Sequence, residues 1–375
     1  MPQPPQPPHD ERFERARAAF VAGLKCHRAG APAQAEAHYR ESLDLVPGRA
    51  STLINLAAVE LQLARPQDAL ASADGALGVE PGSVDALLHR ATALAQLGRV
   101  HEALAAFERL LALEPTHAAA WSLHGSVLRE MQRFDAAAVA FRQALRHGAD
   151  PELNAYYLAA VAAGNAPPAS PPAYVQGLFD RYADEFDQHL VGQLHYQGHR
   201  HLVDGLLAVA GGPFASALDL GCGTGLCGPL VRPHVQRLTG VDLSARMLDK
   251  ARELDVYDRL EHADVVDFMR RTEDRHELLM AADVFIYIGD LQPLFEAARR
   301  VMDRGVFCFS VEALADGDRD YRLQPSLRYA HSKACLLRLA AQHGFKPIAL
   351  RSAPVREDQR DAVAGLYVYL KRTGV

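Results

Sequence analysis

The residues with the clearest chemical capacity lie in a glycine-rich turn in the second half of the chain. An apolar, strand-like stretch with the sequence A-L-D-L leads into Gly221, Gly223 and Gly225. Glycine is needed where the backbone takes positive φ or lies close against a ligand. The pattern predicts a ligand-binding turn, and the helix expected from about Leu226 would direct its free N–H groups toward the same point.

An acidic residue beside this turn limits what the turn can bind. Gly223, Gly225 and Gly228 also satisfy G-x-G-x-x-G, the dinucleotide fingerprint, which is weak evidence when it stands alone. Asp219 precedes the first glycine of the turn, where it would repel a diphosphate and attract a cation. A ligand with an ammonium and a sulfonium charge is therefore favoured. A dinucleotide and a purely structural turn remain the alternatives.

The same residues resemble a known motif. Gly-Cys-Gly-Thr-Gly after an apolar-Asp-apolar triplet resembles the first motif of class I S-adenosylmethionine methyltransferases. The resemblance implies that S-adenosylmethionine is the cofactor. It also implies that the following residues bind it: Asp219, Gly221, Cys222, Gly223 and Gly225.

Two further strand ends carry acids that suit this cofactor. Asp242 ends the second strand, where a carboxylate can accept both ribose hydroxyls, although an acid at a helix N-terminus is the alternative. The segment L-S-A-R-M-L-D-K-A that follows resembles the family pattern in which Leu243 and Met247 pack against the adenine; an ordinary core methionine is the other interpretation. The resemblance also implies that the Asp264 side chain meets the adenine amino group and that the Val265 backbone meets a ring nitrogen. A surface or capping acid is the alternative for Asp264.

The acceptor side of the site is less well defined. Methyl transfer requires an acceptor held in line with the S–CH₃ bond and, for O or N acceptors, removal of a proton. Ala-Ala-Asp-Val stands after the fourth strand in place of Asn/Asp-Pro-Pro-Tyr, which disfavours exocyclic amino groups of bases and glutamine amides as acceptors. We take His331, Tyr182 and Asp283 as candidates for a base or an acceptor contact. A capping or surface histidine and a loop acid are the alternatives for His331 and Asp283.

The elements around these residues follow a simple alternation. Apolar runs of strand length alternate with amphipathic stretches of helix length, which predicts parallel strands joined by crossover helices. The last two strands follow one another without a helix, so we expect an antiparallel hairpin that closes a Rossmann-like sheet of seven strands. The predicted strands are 215–220, 236–242, 259–263, 277–282, 305–311, 345–353 and 362–370.

The first half of the chain repeats itself every 34 residues. Each unit contains two helical stretches separated by a short breaker, with small residues where the helices meet and proline after the second helix. The positions resemble the tetratricopeptide repeat (TPR), in four units near 16–49, 50–83, 84–117 and 118–150, and 152–163 resembles a capping helix. An alanine-rich helical bundle is the alternative. The repeating positions include Pro47, Pro81 and Pro115, with Ala35, Ala69, Ala103 and Ala137, and with Gly30, Ala64, Gly98 and Gln132 in the breaker.

The predicted organisation is thus an α-solenoid followed by an α/β domain. Residues 1–15 are a proline-rich disordered start, 16–165 the TPR domain, 166–172 a Pro/Ala/Ser linker, and 173–375 the methyltransferase domain. The last segment as a whole resembles bacterial class I methyltransferases that carry TPR units and whose substrate is generally unassigned.

Composition limits the partners and the cellular compartment that we expect. The chain has 375 residues with a formal net charge of −6, and no basic face for nucleic acid or acidic lipid stands out. Five scattered cysteines without CxxC pairs indicate a reducing compartment and no structural zinc, and no metal is predicted. No stretch approaches the ~20 apolar residues of a membrane span and the start is not a signal peptide, so we expect a cytoplasmic protein.

Three functions are compatible with these features. The first is a methyltransferase whose TPR domain recruits a protein, peptide or carrier-bound acceptor on its concave face. The second is a small-molecule methyltransferase whose repeats only form a homodimer. The third is a scaffold that binds the cofactor without catalysis, which the lack of an assignable base keeps open.

Overall fold

The computed structural model describes residues 9–162, 164, 166–183, 196–315, 317, 319–358 and 361–374. Side chains at 9–10, 181–182, 356–358 and 361–362 are not among those described. The chain divides into two compact units, Met1–Ala162 and Ala163–Val375.

The described part of the first unit is entirely helical. Its helices are α1 (His9–Arg28), α2 (Pro32–Leu45), α3 (Ala50–Gln62), α4 (Pro66–Val79), α5 (Val84–Gln96), α6 (Val100–Leu113), α7 (Ala118–Glu130), α8 (Phe134–Arg146) and α9 (Pro151–Val161). Helices α1–α8 form the four predicted helix pairs, and α9 packs against α8 at the end of the array. The predicted repeat architecture is confirmed.

The breaker between the two helices of each repeat has the same backbone conformation in all four units. Gly30, Ala64, Gly98 and Gln132 all take positive φ, between 56° and 72°. Glycine adopts this conformation without cost, whereas alanine and glutamine are strained there. The equivalent conformation at four positions explains why the repeat keeps a fixed length between its helices.

A glycine faces an aromatic ring within the first and the last repeat. A Cβ on Gly23 would lie 2.5 Å from Tyr39, and a Cβ on Gly125 would lie 2.7 Å from Phe141. Both rings are fully buried. Each glycine therefore leaves the space that the ring of the second helix fills.

The second unit is built on a twisted sheet. Its strands are β1 (Phe214–Leu220), β2 (Val235–Asp242), β3 (Arg259–His262), β4 (Leu278–Ala281), β5 (Gly305–Leu314), β6 (Tyr321–Leu323), β7 (Tyr329–Ser332), β8 (Lys346–Asp358) and β9 (Asp361–Arg372). Strands β3, β2, β1, β4 and β5 lie side by side in parallel. Strand β9 pairs antiparallel with β5 and with β8, so the predicted hairpin at the end of the chain is confirmed.

Helices cover both faces of this sheet. They are α10 (Pro172–Tyr182), α11 (Gly198–Ala210), α12 (Gly228–Val231), α13 (Ala245–Glu253), α14 (Val265–Arg271), α15 (Gln292–Val301) and α16 (Lys333–Gln342). One apolar core contains Leu218, Phe307 and Phe309, and a second core on other side chains of the same strands contains Ala217, Met280 and Cys308. Because both faces are buried, the strands read as continuous apolar runs, as in doubly wound α/β domains.

The seven-strand prediction is corrected by two short additions. Strand β7 pairs in parallel with the last residues of β5, and β6 pairs antiparallel with β7, which brings the described sheet to nine strands. Strands β6 and β7 have the sequences Y-R-L and Y-A-H-S, which form no apolar run of strand length. Ser332 at the end of β7 caps α16 by accepting a hydrogen bond from Cys335 N.

The segment 166–172, expected to be a linker, is hydrogen-bonded into the second unit. Pro168 O accepts hydrogen bonds from Gly289 N and Asp290 N at 2.8 Å, and Tyr329 Oη donates to Pro167 O at 2.8 Å. Ser170 N donates to the backbone of the same stretch at Tyr287 O (2.9 Å). Proline cannot donate a hydrogen bond but retains its carbonyl acceptor, so a proline-rich segment can still be fixed on one side. We call 166–170 the strap.

Within the part of the chain that the structure covers, no helix is long and apolar enough to cross a bilayer.

Candidate functional site

The glycine-rich turn lies at the carboxyl end of β1, at the centre of the parallel strands. Gly221, Gly223 and Gly225 take φ of 66°, 55° and 93°. A Cβ on Gly221 would lie 2.5 Å from Val284, so that glycine is required by packing as well as by φ. A Cβ on Gly223 would meet nothing within 4 Å, which leaves open space beside the backbone at the middle of the turn.

The amide groups of the turn are already used inside the chain. Gly221 N and Cys222 N both donate to Val241 O, at 2.7 and 3.0 Å, and Gly225 N donates to Cys222 O at 2.9 Å. Gly223 N donates to the Asp242 carboxylate at 2.8 Å. A diphosphate needs such N–H groups for itself. The geometry therefore disfavours the dinucleotide interpretation of the glycine pattern.

The helix expected from about Leu226 is much shorter than a phosphate-binding helix. Helix α12 begins at Gly228 and ends at Val231, and a 3₁₀ turn follows over Arg232–His234. Pro233 lacks an N–H group and cannot continue an α-helix, which explains the early end. The helix begins two residues after the predicted start at Leu226, and a helix of one turn adds little dipole to attract an anion.

Asp242 holds the turn in place. Its Oδ2 accepts from Gly223 N and its Oδ1 accepts from Ser244 N, both at 2.8 Å. Burial raises the pKa of Asp242, and the hydrogen bonds from these backbone N–H groups oppose that rise. Each carboxylate oxygen has a second lone pair, so both oxygens can still accept from a ligand.

Asp219 lies in the interior beside the turn. It is 1% exposed, and its Oδ2 accepts a hydrogen bond from Tyr257 Oη at 2.7 Å. Burial raises the pKa of Asp219 to about 7, while the Tyr257 hydroxyl lowers it. The Cys222 side chain is buried nearby, and a Cβ on Gly240 would lie 2.8 Å from its sulfur. Burial raises the pKa of the Cys222 thiol, so this cysteine is a packed thiol and not a nucleophile.

The predicted adenine contacts lie at the start of α13. Met247 is 1% exposed and Leu243 is half-buried. Ser244 Oγ accepts from Met247 N at 3.2 Å and donates to Asp180 Oδ1 at 2.5 Å. Arg246 donates to the Asp180 backbone oxygen at 2.7 Å. Helix α10, which carries Asp180, is thereby fixed to the segment that follows Asp242.

Asp264 caps helix α14 at the end of β3. Its Oδ1 accepts from Val266 N at 2.9 Å and from Asp267 N at 3.0 Å, so the capping interpretation left open by the sequence describes this oxygen. The side chain is exposed, and Val265 is buried. Asp219, Asp242 and Asp264 therefore stand at or near the carboxyl ends of three neighbouring strands, β1, β2 and β3.

A second polar group lies just after the end of β4, beside Ser310 within β5. Asp283 takes φ of 58°, uncommon for a residue with a side chain. Asp283 N donates to Ser310 Oγ at 2.8 Å, and Ser310 Oγ donates to Asp283 Oδ1 at 2.7 Å. Burial, and then the Asp283 carboxylate, raise the pKa of Tyr196 well above its usual range, so Tyr196 stays an O–H donor. Tyr196 also stacks on His199, with ring centroids 5.3 Å apart.

Arg328 adds a cation to this region. Burial lowers its pKa, but Tyr287 and the carboxylates of Glu312 and Asp283 outweigh that influence and raise it. Tyr287 also meets Phe179 of α10 edge-on, with ring centroids 5.6 Å apart. The Asp283 region is therefore lined by two carboxylates, one guanidinium and two tyrosine hydroxyls.

Of the remaining two catalytic candidates, only His331 has a described side chain. His331 is 1% exposed, its Nε2 lies 3.1 Å from Gly289 O, and burial lowers its pKa to about 4. An imidazole in this setting is neutral at pH 7 and is held against the backbone beside the strap. It is neither the surface nor the capping histidine that the sequence left open. The Tyr182 side chain lies outside the described residues.

Sequence reasoning assigned no role in this site to six residues: Tyr196, Tyr257, Tyr287, Ser310, Glu312 and Arg328. Tyr257 lies between α13 and β3. The only sequence signal for its ring is the presence of two glycines outside the turn, Gly228 and Gly240, which leave space for a bulky side chain. Ser310 lies inside the predicted fifth strand, where a lone polar residue in an apolar run was a usable signal. Among the described residues, no group of three or more His, Cys, Asp or Glu has the geometry of a metal site.

Comparison with known proteins identifies the parts of the chain. Residues 217–305 match the family model of a methyltransferase domain, and residues 60–127 match that of a tetratricopeptide repeat. Nodulation protein S of Rhizobium tropici is 33% identical over 101 residues, 26% of this chain and 41% of that protein. Malonyl-[acyl-carrier protein] O-methyltransferase of Salmonella typhimurium is 30% identical over 138 residues, 36% of this chain and 52% of that protein.

The chain spans about half the length of these curated relatives, or less. Among solved structures, magnesium protoporphyrin IX methyltransferase from Synechocystis PCC 6803 with bound S-adenosylmethionine is 17% identical. That match covers 54% of this chain and 97% of the other, with a TM-score of 0.42.

The chain thus joins a TPR unit to a class I methyltransferase domain. S-Adenosylmethionine is the methyl donor that this class of domain uses, in agreement with the resemblance of the glycine turn.

Proposed function

We propose that this protein transfers the methyl group of S-adenosylmethionine to an acceptor that its repeat unit recruits. The observation that carries the proposal is the turn after β1: the amides of Gly221, Cys222, Gly223 and Gly225 are used within the chain, and the neighbouring strand ends carry carboxylates. Such a site offers acceptors, not donors. A ligand rich in donors and positive charge suits it better than a phosphate does.

The proposed cofactor fits this set of acceptors. Its ammonium group, its ribose hydroxyls and its adenine amino group are all hydrogen-bond donors. We assign them in that order to Asp219, Asp242 and Asp264, with Leu243, Met247 and Val265 along the adenine. Gly223 leaves open space at the middle of the turn, where the backbone can lie close to a ligand.

We assign the acceptor side to Asp283. When bound, the cofactor supplies an electrophilic methyl group. Ser310 holds one oxygen of Asp283 by a hydrogen bond of 2.7 Å, which fixes the carboxylate for accepting a hydrogen bond, and then a proton, from an acceptor O–H or N–H. Tyr287 and Arg328 would orient the rest of the acceptor. His331 is held neutral and against the backbone, so we give it a structural role instead.

Recruitment through the repeat unit is the finer part of the proposal. Repeat arrays of this kind present an extended concave surface for a protein or peptide. One relative is named for an acceptor held on an acyl-carrier protein, which supports a carrier-bound or protein-bound acceptor here. All five cysteines are free, which supports a reducing, cytoplasmic setting.

Cofactor binding is tested by calorimetric titration of the full chain with S-adenosylhomocysteine. Asn can replace Asp264 as a helix cap, but its amide group places a donor where the proposed adenine amino group needs an acceptor. We expect Asp264→Asn to weaken binding by about tenfold, the effect of one hydrogen bond. Asp150→Asn is the matched control, because Asp150 caps α9 through Leu153 N at 2.7 Å in the repeat unit. Equal affinity in both variants would remove Asp264 from the site.

The acceptor is tested by incubating the full chain with methyl-labelled S-adenosylmethionine and a matched cell extract. Label in the macromolecular fraction supports a recruited protein or carrier. Label confined to small molecules favours the second function, in which the repeats only form a dimer. Cofactor binding without any labelled product favours the non-catalytic scaffold.

A further inference from the structure

Three glycines near the turn surround one aromatic ring. A Cβ on Gly225 would lie 3.1 Å from Tyr257, and a Cβ on Gly228 or Gly240 would lie 2.9 or 3.0 Å from the same ring. Gly228 and Gly240 do not take positive φ, so no backbone requirement explains them. Two glycines of the apparent dinucleotide fingerprint, Gly225 and Gly228, therefore make room for a side chain of this protein.

The hydroxyl of the same ring reaches the carboxylate beside the turn. Tyr257 Oη donates to Asp219 Oδ2 at 2.7 Å, across 38 residues of sequence. Burial raises the pKa of Tyr257 well above its usual range, so this hydroxyl keeps its proton and remains the donor. The ring thus packs against glycines of the turn, and the hydroxyl binds the Asp219 carboxylate beside it. The proposed cofactor site uses both the turn and this carboxylate.

We propose that Tyr257 is the positioning residue of the glycine turn: its ring packs against the turn and its hydroxyl orients the Asp219 carboxylate toward the cationic end of the cofactor. The inference rests on the proposed function, since it assigns Tyr257 a part in cofactor binding. Tyr257 acts through Asp219 and the turn and does not itself contact the reacting atoms.

The surroundings of Asp219 make this hydrogen bond matter. The titratable groups that influence Asp219 are Tyr257, the Asp242 carboxylate and the thiols of Cys222, Cys227 and Cys308. None of them is a cation, and Asp242 disfavours the charged form of Asp219. Burial raises the pKa of Asp219 to about 7, and the Tyr257 hydroxyl is the group that opposes the rise. A cationic ligand binds the ionised form, so affinity should fall as pH drops through that range.

The test compares two buried tyrosines that each lose only a hydroxyl. Tyr257→Phe keeps the ring and should move the midpoint of the pH dependence of S-adenosylhomocysteine affinity upward by about one pH unit. Affinity at pH 7 should fall by up to about tenfold, while pH 8.5 should restore most of it. Tyr369→Phe is the control, because Tyr369 Oη donates only to backbone oxygens of His201 and Leu202, at 3.0 and 3.2 Å. A midpoint that stays in place in Tyr257→Phe, or moves equally in the control, would overturn the proposal.

A second measurement tests the ring and needs no ligand. Gly228→Ala should lower the melting temperature, because its Cβ would lie 2.8 Å from Val256 and 2.9 Å from Tyr257. The same substitution should cost less in a Tyr257→Leu background, where the ring is absent. Equal losses in both backgrounds would show that Gly228 is not there for Tyr257.

The pH dependence of unfolding separates this inference from the proposed function. Because Asp219 has a folded-state pKa above its usual 3.8, stability declines as pH rises from about 4 to about 7. Tyr257→Phe should extend that decline to higher pH, whether or not a cofactor binds. Failure of the wild type to bind S-adenosylhomocysteine, together with this extended decline, would reject the cofactor assignment and keep the Tyr257–Asp219 pair. An unchanged decline would reject the pair.

Discussion

Both units of the molecule pack an aromatic ring against glycine, but with different results. In the repeat unit, Gly125 leaves room for Phe141, and the contact joins two helices. In the methyltransferase unit, Gly228 and Gly240 leave room for Tyr257, which also donates a hydrogen bond to Asp219. The first contact is apolar throughout, and the second ends in a buried carboxylate.

The difference shows how one steric arrangement serves two purposes. A glycine–phenylalanine contact contributes dispersion and burial, so a change there should alter stability alone. A glycine–tyrosine contact beside a carboxylate also fixes the direction of a charge. Changes there should alter ligand affinity and its pH dependence. Changes at Asp242 and Gly125 test this contrast, and changes at His276 and Tyr329 test other contacts of the second unit.

The largest effect is expected at Asp242. Asp242→Ala leaves Gly223 N and Ser244 N without their acceptor, and both bonds are charge-assisted. We expect S-adenosylhomocysteine affinity to fall by about three orders of magnitude, measured by calorimetry, while the repeat unit keeps its helical signal. Affinity within a few-fold of the wild type would show that the turn does not need this carboxylate.

Acid sensitivity should come from a buried histidine of the second unit. Burial lowers the pKa of His276 to about 4, so the folded state does not take up the proton that the unfolded chain binds below pH 6.5. Stability should therefore fall by about 3 kcal/mol between pH 6.5 and about 4 on account of this residue. His276→Leu should flatten the dependence in urea unfolding, and an unchanged slope in this variant would remove His276 as its source. Asp219 changes the free energy of unfolding with pH in the opposite direction. This contribution is the same in the variants compared, so it cancels.

A smaller effect is expected in the repeats. Gly125→Ala should destabilise by about 1–2 kcal/mol, because its Cβ would lie 2.7 Å from Phe141. Gly75→Ala is the control, since Gly75 is also helical but has ordinary contacts at 3.5 Å, and it should stabilise by about 0.5–1 kcal/mol. Cofactor affinity should be unchanged in both, and a loss of affinity in Gly125→Ala would break the contrast between the units.

The smallest effect tests the strap. Tyr329→Phe removes the hydrogen bond to Pro167 O and should cost about 1 kcal/mol in urea unfolding. Tyr321→Phe is the control, because the two rings lie 5.8 Å apart and the Tyr321 hydroxyl has no hydrogen bond with any described residue. Equal losses in the two variants would show that the strap adds nothing to stability.

Regular elements were predictable because their residues repeat or alternate. The 34-residue spacing indicated the helix pairs, and the apolar runs indicated the seven longer strands and the final hairpin. Strands β6 and β7 were missed because Y-R-L and Y-A-H-S form no apolar run of strand length. Helix α12 begins at Gly228, two residues after the predicted start, and Pro233 keeps it short.

The site was predictable only where a residue type follows a strand end. Asp219 and Asp242 were found in that way, and both lie beside the turn. The Tyr257–Asp219 bond spans 38 residues, and sequence spacing gives no account of such a contact. The hydrogen bond between Ser310 and Asp283 could not be predicted from spacing either, because it depends on the pairing of β4 with β5. His331 carried an acid–base residue type without the environment that would activate it.

The strap is the segment through which a pulling force on the chain would reach the second unit. Its carbonyl and amide groups bind Tyr287, Gly289 and Asp290, and a backbone bridge joins Ala169 to Ile288. A force applied to the chain at Ala162 would first load these bonds and would reach the stretch that carries Tyr287. A truncation that starts after Ser170 would release this stretch on one side. Single-molecule pulling from a handle at Ala162 should therefore show an early rupture event that precedes unfolding of the sheet.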